Sequence, residues 1–73
     1  MIKILDSIIE HALMYGLNIK YVALSQDLMK LLVTEVMNTT GHSFTVETLV
    51  MYRDVPLKVK DIIGFQVAYE LNQ

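Results

Sequence analysis

The chain has 73 residues, 53% of them hydrophobic, with a mean hydropathy of +0.42, six basic against eight acidic residues and no cysteine. That length leaves room for one domain around one core. The missing cysteines exclude disulfides, and the two histidines, His11 and His42, are too few for a structural zinc site. A formal charge of −2 offers no pull on phosphate backbones or anionic lipid, which disfavours nucleic acid as the main partner.

A membrane explanation for the hydrophobicity fails on spacing. The longest stretch without Asp, Glu, Lys or Arg is residues 36–46, and polar Asn38, Thr39, Thr40, His42 and Ser43 interrupt it. A spanning helix needs about 20 predominantly apolar residues. Asp6, Glu10 and His11 break the N-terminal apolar run, so a secretory signal is not expected and a cytoplasmic location is.

In residues 2–15, Leu5, Ile8, Ile9, Ala12 and Leu13 recur at helical spacing while Lys3, Asp6, Ser7, Glu10 and His11 gather on the opposite arc, which predicts an amphipathic helix. Gly16 stands where a left-handed residue closes such a helix, and Leu17 can fold back over the last turn as in a Schellman cap. Residues 19–24 are short, β-branched and apolar, and read as a buried strand. Ser25 then has the position of an N-cap, with Asp27 set against the positive end of the helix dipole. From Gln26 onward Leu28, Met29, Leu31, Leu32, Val33, Val36 and Met37 cover more than half of a helix circumference, leaving Asp27, Lys30, Thr34 and Asn38 outward. So broad an apolar arc implies burial on two sides. Residues 38–43 form a turn cluster that ends it.

At Phe44 the period changes to 2. Phe44, Val46, Thr48, Val50 and Tyr52 share one face, and Thr45, Glu47, Leu49, Met51 and Arg53 the other, which predicts a strand over residues 44–53. Arg53-Asp54 reads as a two-residue hairpin turn, and Pro56 suits the start of an edge strand reaching Lys60. Residues 61–64 turn the chain into a last strand in which Phe65, Val67, Tyr69 and Leu71 alternate with Gln66, Ala68 and Glu70. The expected fold is α+β, a two-layer sandwich of order α-β-α-β-β-β with both helices on one face of a mainly antiparallel four-stranded sheet. A right-handed crossover through the second helix and an antiparallel meander of the last three strands would build it.

The polar residues do not assemble a catalytic, cofactor or metal site. Asp6 and Glu10 lie one helical turn apart but lack further ligands, and Ser7 with His11 lacks an orienting third group and an oxyanion turn. Gly16, Gly41 and Gly64 stand singly at structural breaks, so no phosphate loop is formed, and Asn38-Thr39-Thr40 is a chance glycosylation match without a secretory signal. His42 reads as a solvated loop residue. Lys58 and Lys60 alternate on one strand face near Arg53 and Tyr52, where lysines serve to block strand addition at an edge.

The methionines point elsewhere. Met14 projects from the polar arc of the first helix, Met37 from the far edge of the second, and Leu49 with Met51 from the sheet face opposite Phe44, Val46 and Val50. Adaptable thioethers on exposed faces suit a protein partner, so Met14, Val33, Met37, Leu49, Met51 and Tyr52 are the candidate interface residues. Homodimerisation is expected through Val33 and Met37 or through Leu49 and Met51.

Residues 51–59, Met-Tyr-Arg-Asp-Val-Pro-Leu-Lys-Val, resemble a hairpin of pattern tyrosine-x-glycine-x-proline-hydrophobic-x-hydrophobic found in many small bacteriophage proteins. They are also similar to a segment of tailed-phage capsid and head-associated proteins. Asp54 stands where that pattern has glycine. The resemblance covers nine residues and transfers no catalytic group; it implies a phage or prophage origin. The functional expectation is a non-enzymatic protein-interaction module that binds and modulates a host protein. A virion or head-assembly component is the alternative, and a small enzyme or metal-binding protein ranks third.

Overall fold

The structure, a computed structural model, describes residues 1–70. Helices α1 (Ile2–Met14) and α2 (Gln26–Thr40) cover one face of a mixed sheet made of β1 (Asn18–Leu24), β2 (Met51–Tyr52), β3 (Val55–Val59) and β4 (Phe65–Glu70). The element order is the expected one, and the class is α+β. Leu71, expected to end the last strand, lies outside the described residues.

Local chemistry sets the helix ends. Leu17 N–H donates to the Ala12 carbonyl at 2.8 Å and Gly16 N–H to that of Leu13 at 3.3 Å, with Gly16 at φ 67°, which is the Schellman closure expected for α1. The Ser25 hydroxyl accepts from Leu28 N–H at 3.3 Å to cap α2, and Gly41, at φ 75°, closes it. No side chain of α1 caps its own N-terminus. Glu35 of α2 does so from the neighbouring helix, accepting from the Ile2 N–H at 3.2 Å and pairing with the Met1 amino group at 2.8 Å. The Met1 amino group chiefly, then the Ile2 N–H, holds the Glu35 carboxyl below the usual range against some desolvation.

The core lies between the helices and the sheet. Leu5 and Ile9 from α1, Met29, Leu32, Val33 and Val36 from α2, and Val22, Leu24, Val55 and Leu57 from the sheet form one cluster. The buried arc of α2 is narrower than expected, since Leu28 and Met37 are half-buried and Leu31 is exposed, but the helix is buried on two sides, against β1 and against α1.

Sheet order departs from expectation. It is β2-β3-β1-β4, with β1 parallel to β3 and antiparallel to β4, so the sheet is mixed rather than mainly antiparallel and the last three strands form no meander. Val22, Ala23 and Leu24 are fully buried, and a strand so covered requires partners along both edges. Between β3 and β4 the chain crosses the end of β1, pinned by Lys60 N–H to the Leu24 carbonyl at 3.0 Å and by Ser25 N–H to the Gly64 carbonyl at 2.9 Å. β3 is consequently an inner strand where β2 pairs with Val55 and Pro56, and Lys58 and Lys60 lie past that paired stretch. On β1 the register slips between Ile19 and Tyr21, opposite Tyr69 and Ala68. That bulge at Lys20 returns Ile19 to the helix side shared by Val22 and Leu24.

The expected strand over residues 44–53 is replaced by a loop, of which only Met51 and Tyr52 join the ladder. Thr45 and Thr48 cause this. Thr45 N–H donates to the Thr48 hydroxyl at 2.8 Å, Thr48 N–H to the Thr45 hydroxyl at 3.3 Å, and Leu49 N–H to the Thr45 carbonyl at 3.1 Å. These local bonds compete with strand pairing and wind the segment into a turn. Alternation is lost as a result, so that Leu49 enters the core while Val50 faces water.

Candidate protein-interaction surface

The C-terminal end of α1 carries exposed apolar side chains. Leu13, expected to face the core, is 69% exposed, Met14 77% and Tyr15 64%. Leu13 and Leu17 border an open depression of about 360 Å³ whose floor includes Ile9, Ala12, Ile19 and Val55. Asn18, Arg53 and Asp54 give it a polar rim. Three pieces of local structure meet here: the Schellman turn, the start of β1 and the β2–β3 turn.

The hairpin is tied to α1 above this depression. The Tyr52 hydroxyl donates to Asp6 Oδ1 at 2.8 Å, and Arg53 Nη1 donates to the same oxygen at 3.1 Å. The tyrosine bond chiefly, then the Arg53 guanidinium, holds the Asp6 carboxyl below its usual range against some desolvation. Burial pushes the Tyr52 hydroxyl up, and the Asp6 carboxylate beside it adds to the shift.

The candidate residues separate onto different surfaces. Met14 is exposed on α1 but does not line the depression, and Tyr52, next to Arg53 of its rim, is half-buried; Met51 is exposed on the far side of the sheet and Met37 is half-buried on α2. Val33 and Leu49 are core residues, 6% and 5% exposed. For Leu49 this corrects the expected exposed face shared with Met51, because the threonine turn breaks the alternation. Leu13, Tyr15 and Leu17 had no place in the sequence-derived set. A helical stripe reveals its phase, not where its cover ends.

Two other surfaces carry polar groups. On the open sheet face Lys58 and Lys60 place their ammonium groups 4.4 Å and 4.9 Å from the Tyr21 ring centre, and Lys60 Nζ donates to the Tyr21 hydroxyl at 3.1 Å. Lys60, by that bond and its charge, lowers the Tyr21 hydroxyl's pKa. The lysines therefore gather on Tyr21 and not beside Tyr52. A second depression of about 390 Å³ at the start of α2 holds Ser25 and Lys60, but also Asp27 and Asp61. No group of three His, Asp or Glu residues that could hold a metal occurs among the described residues. Nor, among these residues, does a hydrogen bond join Ser7 to His11, whose ring instead lies 4.6 Å from that of Tyr15. Among the described residues no helix is long and apolar enough to cross a membrane. No protein-family model, curated protein or solved structure matches the chain.

Proposed function

We propose that the chain is a non-enzymatic protein-interaction module that receives an apolar segment of a partner at the C-terminal end of α1. The observation that carries this reading is exposed Leu13 and Leu17 at the border of a preformed depression with a polar rim, with Met14 and Tyr15 exposed between them in the chain. Apolar surface in one place, bordered by a few charged groups, is the usual make-up of an interface centre and rim. Met14 adds adaptability, and Tyr15 a large side chain with few rotatable bonds. The hairpin resemblance adds a host protein as the partner class, with a phage-encoded chain redirecting it.

Photocrosslinking tests this in lysate of the natural host. A photoreactive residue replacing Leu17, which borders the depression, is expected to give one discrete adduct, which disappears when Leu13→Asp is added and is absent when the photoreactive residue replaces Lys58. Equal adducts from both positions, insensitive to Leu13→Asp, would reject the α1 surface as the docking site.

A further inference from the structure

We infer that β4 is a homodimerisation edge, pairing antiparallel with β4 of a second copy about a two-fold axis through Val67. This edge is separate from the α1 surface and does not depend on it. The two sheet edges are treated differently. β2 is two residues long and ends in a tight turn, features that oppose strand addition. β4 offers six residues, Phe65–Glu70, without proline, lysine or a bulged residue of its own. Among the described residues no strand pairs with its outer edge.

Backbone direction selects the register. Leu24 turns its carbonyl toward β3, where Lys60 N–H reaches it, and Ser25 turns toward β4, where its N–H meets the Gly64 carbonyl. In an antiparallel ladder a residue's N–H and C=O point the same way and successive residues alternate. Gly64, Gln66 and Ala68 therefore address β1, and Phe65, Val67 and Tyr69 turn three donors and three acceptors outward. Facing residues must share both that direction and a side-chain face, which permits only registers of one parity. Of these, the one centred on Val67 alone uses all three residues in both copies, for six hydrogen bonds. It sets Val67 against Val67 and Phe65 against Tyr69 twice.

The side chains suit this register. Phe65, Val67 and Tyr69 lie opposite Leu24, Val22 and Ile19, hence on the helix side, yet Phe65 and Tyr69 are each 42% exposed because both helices pack on β1. The edge is open to a second sheet, whose helices would lie on the same side. Two cross-strand aromatic pairs would be covered, Gln66 would face Ala68, and Glu70 would face Gly64, so no like charges oppose. Strands of this length span about 20 Å. An interface of that size falls in the small class, about 1,200 Å² or less, in which weak, reversible association is common, so the micromolar range is the one to test.

Sedimentation equilibrium across that range is expected to show mass rising from 8.4 kDa toward twice that value. Phe65→Lys/Tyr69→Lys sets ammonium against ammonium at both aromatic pairs and should raise the dissociation constant at least tenfold. Phe65→Lys/Tyr69→Glu sets opposite charges at the same places and should bring it back to within a few-fold of the parent. Circular dichroism verifies that each variant is folded, and both positions are already part-exposed. A mass of 8.4 kDa throughout, equal affinities for the two double variants, or a dimer abolished by Met37→Glu or Met51→Glu but not by the lysine pair, would overturn the inference.

Discussion

Replacing Asp54 by glycine tests the β2–β3 turn most directly. Arg53 and Asp54 lie at φ 50° and 65°, both in the left-handed region, as a two-residue turn of the mirror-image type requires. Such a conformation costs a typical L-residue about 1–2 kcal/mol, with aspartate near the lower end. Glycine removes that strain but adds unfolded-chain entropy worth about 0.4–1 kcal/mol. The Asp54 side chain makes no hydrogen bond or ion pair among the described residues, so nothing else is lost. Asp54→Gly is therefore expected to leave stability unchanged or raise it by a few tenths of a kcal/mol. Arg53→Gly gains similarly but gives up the half-exposed pair with Asp6, worth about 0.2–1 kcal/mol, and should fall near the parent or slightly below. Asp54→Val, β-branched at positive φ, should lose about 1–2 kcal/mol. Urea melts read all three at constant m-value, and 1 kcal/mol corresponds to about 4–8 °C in Tm for a domain of this size. A loss above about 1 kcal/mol for Asp54→Gly, or an Asp54→Val variant as stable as the parent, would refute the turn argument.

Tyr52→Phe removes the donor to a carboxylate that is one-third exposed, so solvent reduces the expected loss at neutral pH to about 1 kcal/mol. Because the folded Asp6 carboxyl titrates below its unfolded value, its contribution is complete above about pH 4 and disappears as pH falls through the folded pKa. The raised Tyr52 hydroxyl contributes below about pH 10 and loses this as pH rises. The difference between parent and variant should thus be a plateau that narrows at both ends in melts against pH. Glu35→Ala uncaps α1 and should cost about 1 kcal/mol above pH 4, with Glu35→Gln intermediate; a variant as stable as the parent at pH 7 would show the cap to be idle. Leu32→Ala, at a side chain with no exposure, should cost about 2–5 kcal/mol by denaturant melt, whereas fully exposed Ile63→Ser should stay within about 0.5 kcal/mol.

Reading residues in order recovers the features whose causes lie within a few positions of one another. The Gly16 closure of α1, the Ser25 cap of α2 and the Arg53-Asp54 turn depend on hydrogen bonds or dihedral preferences spanning at most about six residues, and each appears where the sequence puts it. The threonine turn is just as local, and its signal was present as two threonines three positions apart. The alternation of Phe44, Val46 and Val50 points instead to a strand, and in the molecule the threonine turn prevails.

The surfaces were decided by partners distant in the chain. Phase along α1 places Leu13 beside Leu5 and Ile9, but only the position of the sheet beneath determines that Leu13 emerges into solvent. Likewise β1 lies between β3 and β4 because Val22, Ala23 and Leu24 are covered on both sides, a demand that alternation in residues 44–71 does not encode. That insertion brings Lys58 and Lys60 over Tyr21 of β1 and leaves β4 as an outer strand of the sheet. Local hydrogen bonding and backbone sterics act between chain neighbours and can be read from sequence, whereas burial is a property of how distant segments share a limited core. Both proposed surfaces of this protein belong to the second kind.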